Sequence, residues 1–328
     1  MITLAKKAAN TFNRVMENHS INLQSIPLYF TPGSQCILIG CNDQSQAFAR
    51  RIFDELFKPA SSGTYFLYMP YESFLSTMGV ENSALSKPAN LRFYSTNKNT
   101  SIGEYCPMCI ELGLDKDWRE DGSGIAGRQT EWMDDLFFRS FADSPHNQPE
   151  RFWREFAARG TGVRLAIEIT TSPGYQDFRF ITYEGSPAVA AFVEVREAFQ
   201  RAGYNLRIDG FPRMPAFGQL AAHSWQQEVR LIAKRYPDGH DCFPFQVGHD
   251  EKLECNFIDC SITDLTCPQF QLRLIDAVAG PKAEATRIAE INRIWNQFKD
   301  NQTAAKSYSV QGTNNNLTAP PNTSRSVG

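Results

Sequence analysis

At 328 residues, 42% of them hydrophobic and 21% charged, the chain has a globular composition and enough length for one large domain or two small ones. Its formal net charge of −3 excludes a broad basic field for nucleic acid or an anionic membrane, but leaves room for a local basic patch. No apolar run approaches the roughly eighteen residues that a membrane span needs, so no membrane partner is expected.

The N-terminus turns polar within a few residues and offers no signal-peptide core, so a cytoplasmic protein is expected. The first sixty residues read as a helix, a short sheet element and a second helix. Ile37–Gly40 is an apolar strand after the turn signal Pro32-Gly33, and Phe48, Ile52, Phe53 and Leu56 follow at helical spacing. Strand, glycine and helix invite a dinucleotide-binding reading. Only Gly40 stands where that fingerprint has three glycines, and a plain packing unit is the alternative.

Pro59–Gly63 has the composition of a linker. Beyond it Tyr65–Tyr68 and Leu91–Tyr94 read as strands, with a short helix near 72–78 between them. The Gly- and charge-rich stretch 113–130 reads as a loop. A helix is predicted over 148–159, with Asn147 as cap, Glu150 at capping-box spacing, and Phe152, Trp153 and Phe156 as its buried face. Val163, Leu165, Ile167 and Ile169 then alternate as one face of a strand.

Phe178–Tyr183 predicts another strand, and Ser186-Pro187 opens a helix whose Phe192, Val195 and Phe199 share a face before Gly203. A core strand runs through Glu228–Ala233. Leu272–Val278 is a strand that Gly280-Pro281 turns into an amphipathic helix carrying Ile288, Ile291, Trp295 and Phe298. From about residue 300 the chain is too polar to offset the entropy of ordering, and 303–328 is expected to be disordered. The whole predicts an α+β fold with a mixed, largely antiparallel sheet flanked by helices. Its parts are a helical/βα N-terminal addition (1–60), a main α+β domain (61–300) and a tail (301–328).

Three segments in order carry a resemblance. They are Phe152–Ala157 with Gly160–Ile167, then Trp225–Ile232, then Ile275–Lys282. Together they resemble the bacterial family called domain of unknown function 2971 (DUF2971), in its aromatic helix with following Gly-Val strand, its Glu-x-Glu-x-Arg strand and its Gly-Pro turn. Tyr65–Asn99 is a fainter echo of that family's opening, so the likeness covers about 65–298. Glu155 stands where the family has His and Gln226 where it has its first Glu. The Arg expected after the opening tyrosines is replaced by Met69-Pro70-Tyr71.

On a strand, Gln226, Glu228 and Arg230 would share one face, with Val229 and Leu231 turned to the core. The Gln-x-Glu pair resembles the signature strand of ADP-ribosyltransferases. That resemblance implies NAD as donor, Glu228 as the carboxylate facing the oxocarbenium-like centre, and Gln226 orienting the acceptor, a protein or a nucleic acid. It implies a cofactor-binding contribution from Tyr68, Arg92, Tyr94, Ser95 and Thr96, and a role in anti-phage defence or as a toxin. The competing reading is a Glu–Arg pair on the solvated face of an edge strand, worth little energetically.

With no export signal, the eight cysteines read as thiols. Cys106 and Cys109 form a Cys-x-x-Cys motif that Cys255, Cys260 or Cys267 could complete as a zinc site, that could be a redox pair, or that is two ordinary thiols; no metal site is expected. His223 is a candidate general acid or base, and His240 and His249 sit among Asp238, Asp241 and Asp250. The residues after Gly280-Pro281 could hold a phosphate with Lys282, or simply turn the chain. An enzyme using NAD and a non-catalytic binding or sensor module both stay open.

Overall fold

A computed structural model describes residues 2–26, 28–30, 36–39, 43–82, 84–95, 136–146, 149–173, 175, 177–208, 214–234, 247–263 and 269–313. Their helices are α1 (Ile2–Asn18), α2 (Asp43–Leu56), α3 (Tyr71–Thr77), α4 (Pro149–Phe156), α5 (Pro187–Arg201), α6 (Met214–Phe217) and α7 (Ala285–Thr313). The strands are β1 (Tyr29–Phe30), β2 (Cys36–Ile39), β3 (Gly63–Met69), β4 (Val80–Glu81), β5 (Ala84–Leu85), β6 (Asn90–Ser95), β7 (Leu136–Ala142) and β8 (Val163–Thr171). They continue with β9 (Phe178–Phe180), β10 (Thr182–Tyr183), β11 (Asn205–Ile208), β12 (Gly218–Gln219), β13 (Glu228–Lys234), β14 (Val247–Asp250), β15 (Cys255–Ser261) and β16 (Phe270–Ala279).

The largest sheet is antiparallel throughout, in the order β14-β15-β6-β7-β3-β8-β16. Strand β13 pairs with β7 along its whole length and with β9 on its other side, so it is not an edge strand. A smaller sheet joins β2 antiparallel to β1 and parallel to β11. The fold is α+β, as the pattern of the chain predicts. No helix among the described residues is long and apolar enough to cross a membrane.

Period-two alternation gives the large sheet two different faces. Val163, Leu165, Ile167 and Ile169 of β8 are fully buried with Tyr65, Leu67 and Met69 of β3 and with Val229 and Leu231 of β13. Helix α7 covers this face with Ile291, Ile294 and Phe298, while Ile288 in its first turn is exposed because the packed stripe begins one turn later. The opposite face carries Phe66, Tyr68, Ala142, Glu228 and Arg230, and Phe152 of α4 packs there on Tyr68. Phe156, expected in the buried face of that helix, is instead 40% exposed and stacks on Trp225. Trp153 and Trp225 are only partly buried. The proposed cap Asn147 lies outside the described residues.

The first sixty residues do not stand apart as an addition. Phe12, Phe48, Ile52 and Phe57 share one core with Val189, Phe192, Val195, Phe217 and even Ile232 of β13. Each buried large side chain contributes about 1.5–3 kcal/mol, so this shared core binds residues on both sides of the expected boundary at 60. Local signals cannot show it, because the β2–β11 pairing joins residues about 170 positions apart in the chain. The tail expectation is also corrected. Helix α7 continues to Thr313, since adding a residue to an existing helix needs no new nucleation and Ala304 and Ala305 are strong helix formers. Residues 314–328 lie outside the described residues.

The Gly280 turn docks by backbone. Gly280 N–H donates to Gly162 O at 2.8 Å, Lys282 N–H to Gly160 O at 2.9 Å and Ala283 N–H to Gly280 O at 3.0 Å. A Cβ on Gly280 would lie 2.2 Å from Gly160 O, so only glycine permits the approach. With these amides engaged, and α7 starting only at Ala285, the phosphate reading of this turn is withdrawn.

Candidate functional site

Strands β3, β6, β7 and β13 floor a cavity of about 500 Å³, walled by α4 and by the 3-10 turn Ala221–Gln226. Tyr68, Tyr94, Gln226, Glu228 and Arg230 all line it. Among the lining residues neither Arg92 nor Ser95 is found. Arg92 lies over the Phe257 ring and near Asp250 and Asp259, and Ser95 Oγ is buried accepting the Asn256 N–H. Thr96 lies outside the described residues.

The strand reading of Gln226 is corrected. Gln227 adopts a left-handed conformation (φ 41°), which breaks the alternation, and β13 begins only at Glu228. Gln226 therefore reaches the cavity from the preceding turn, with Nε2 3.5 Å from His223 Nδ1. The expected strand-face partnership is replaced by a meeting of turn and strand.

The solvated-edge reading of Glu228 and Arg230 is overturned. Glu228 is 8% and Arg230 2% exposed, and Arg230 Nε lies 2.6 Å from Glu228 Oε1. The guanidinium also donates to Ser140 Oγ at 3.2 Å and to Ala216 O at 2.7 Å, and it lies 5.1 Å from the Phe138 ring centre. Such burial costs several kcal/mol per ion, and only this density of partners offsets it. Among the described residues Glu228 Oε2 has no hydrogen bond.

The backbone of Glu228 is clamped as well. Its N–H donates to Tyr183 Oη at 3.1 Å, and its carbonyl accepts the Ile181 N–H at 2.9 Å. Burial pushes the Tyr183 phenol up to about 12, with the Glu228 N–H opposing, so the ring stays neutral as an acceptor. Burial likewise raises Tyr68, opposed by the Arg164 guanidinium that lies cross-strand from it. Among the described residues Tyr68 Oη makes no hydrogen bond of normal geometry, Arg164 being its nearby cation, and its ring stacks on Phe152 at 5.0 Å. Arg164 thus places a cation beside the opening tyrosine, where the chain's own β3 has none.

Arg139, Ser140 and Tyr183 were not legible as site residues. In β7 Phe137 and Phe141 fall on one face and Phe138 on the other, so Leu136–Ala142 shows no clean apolar–polar alternation to mark it as a strand. His223 is in the cavity wall, as its position before β13 allows. Cys255 lines the cavity too, but burial and nearby Asp250 raise its thiol, which makes it a poor nucleophile.

Cys106, Cys109, Cys267, Asp238, His240 and Asp241 lie outside the described residues. His249 Nδ1 is 3.0 Å from Asn256 Oδ1, and Asp250 caps the amides of Lys252 and Leu253. No group of three metal-ligating side chains occurs among the described residues.

A buried ion pair, two tyrosines, a histidine and several aromatic rings around one cavity suit a flat ligand with polar substituents. No family model, curated protein or solved structure matches the chain.

Proposed function

We propose that the cavity binds NAD and that the protein is an ADP-ribosyltransferase-like enzyme, in which Glu228 stabilises the oxocarbenium-like centre as nicotinamide leaves. The observation that supports this is the convergence of Tyr68, Tyr94, Gln226 and Glu228, from four separate segments, on one cavity of about 500 Å³. That size lies within the roughly 300–1,000 Å³ of small-molecule sites. Tyr94 and Phe156, less buried than Tyr68 and Phe152, offer ring surface for nicotinamide or adenine.

In this reading the bond between nicotinamide nitrogen and ribose C1′ breaks, and its electron pair leaves with nicotinamide. A lone pair of the acceptor then bonds C1′, while Gln226 orients that acceptor and His223 takes its proton. Glu228 faces the positive charge that develops in between, where a fixed carboxylate is worth most. The acceptor class is a protein or nucleic acid in the cytoplasm. The likeness of residues 65–298 to domain of unknown function 2971 fits a bacterial role in defence against phage or as a toxin, an analogy at the level of family.

Nicotinamide release from NAD tests the proposal. Wild-type protein with cell extract as acceptor should release it, and Glu228→Gln should lower the rate by about 100-fold or more. Absence of release from folded wild-type protein sinks the enzyme reading.

One observation favours a second reading, a binding or sensor module: Glu228 already faces Arg230 at 2.6 Å. On that reading NAD raises the melting temperature without being cleaved.

A further inference from the structure

Two arginines line the cavity, and they differ in one respect. Arg230 has its charge cancelled by Glu228. Arg139 Nη1 makes a long hydrogen bond, 3.4 Å to Arg92 O, and its guanidinium lies 5.9 Å from the Tyr94 ring centre, with the Tyr94 hydroxyl as a further polar neighbour. No carboxylate among the described residues pairs with it. Glu228, the carboxylate among the lining residues, is engaged by Arg230 at 2.6 Å, and the Cys255 thiol beside the cavity is held neutral by burial. Among the described residues the wall therefore keeps an uncompensated positive charge at Arg139.

We infer that Arg139 is the anion-binding residue of this cavity, and that the ligand is nucleotide-like, a flat ring joined to a phosphate group. The guanidinium is half-buried and cannot shed its proton, so leaving it uncompensated carries a desolvation cost that an anionic ligand would reduce. Burial indeed pulls Arg139 below the ordinary arginine range, with Tyr94 opposing. A guanidinium fork matches phosphate oxygens in pairs, which an ammonium cannot do. Tyr94 beside Arg139 and Phe156 on α4 supply ring surface in the same cavity. The inference rests on the cavity being a ligand site, as proposed above, and does not require that the ligand be cleaved.

Calorimetric titration with ADP and with adenosine, at constant ionic strength, tests it. ADP should bind wild-type protein at least about tenfold more tightly, the size of one charge-assisted hydrogen bond. Arg139→Met should erase that preference while leaving the adenosine affinity unchanged, and Arg139→Lys should keep part of it. Pyrophosphate should raise the melting temperature of wild type only. Equal affinity of wild type for ADP and adenosine overturns the inference, as does an ADP preference that survives in Arg139→Met. If the Met variant does not fold, the wild-type comparison decides alone. An Arg139-dependent ADP preference without nicotinamide release would uphold this inference and remove the transferase reading.

Discussion

Arg230 and Glu228 form an ion pair of 2.6 Å at the floor of the cavity, with both side chains buried. Removing one member leaves the other as an unpaired buried charge. Arg230→Met should therefore cost about 3–5 kcal/mol in urea unfolding. The double variant Glu228→Leu with Arg230→Met should recover much of that loss. If the single and double variants lose equally, packing and not charge is what Arg230 contributes.

Tyr183 positions Glu228 through the backbone bond of 3.1 Å. Burial pushes its phenol up to about 12 from the ordinary 10.0, so the folded state resists deprotonation more than the unfolded chain does. The contribution from burying the neutral phenol, which the Glu228 N–H partly opposes, is therefore complete below pH 10 and is lost as pH rises through about 12. It amounts to at most roughly 2–3 kcal/mol. Tyr183→Phe should flatten the fall of melting temperature between these pH values, but only in part, because Tyr65 and Tyr71 are raised to about 12 as well. An unchanged alkaline limb would show that burial of the Tyr183 phenol carries no such linkage.

Gly280→Ala tests the docking of the turn before α7. Its methyl would meet Gly160 O at 2.2 Å, backbone against backbone, with no flexible side chain to yield. A loss of about 1–3 kcal/mol is expected in chemical denaturation, with α7 contacts such as Ile291 loosened first in hydrogen exchange. A neutral effect would mean that the two turns separate readily.

Phe152→Ala would remove the ring stacked on Tyr68 and open a cavity beside it. Stability should fall by about 3–5 kcal/mol. Ligand affinity should fall as well, measured by the same ADP titration. Loss of stability with intact affinity would place Phe152 in the core alone.

Much of the architecture was legible because it is local. The alternation Val163–Ile169 and the helical spacing of Phe48, Ile52, Phe53 and Leu56 each state which face is buried, and all of these side chains are. The apolar residues Val229 and Leu231 fixed the core face of β13 in the same way. Short-range patterning also put Glu228 and Arg230 together, two positions apart on one face.

What surrounds that pair was decided only by tertiary structure. Whether a polar strand face meets water or protein depends on neighbours distant in the chain, and here β7 and β9 enclose it while Ala216, Ser140 and Tyr183 supply its partners. The break at Gln227 arises from how the turn meets the strand, which periodicity does not encode. The sequence by itself determined an α+β chain with Glu228 and Arg230 on a core strand. Only the fold made them a buried pair beside a cavity, because burial is a property of the assembled sheet and not of any segment within it.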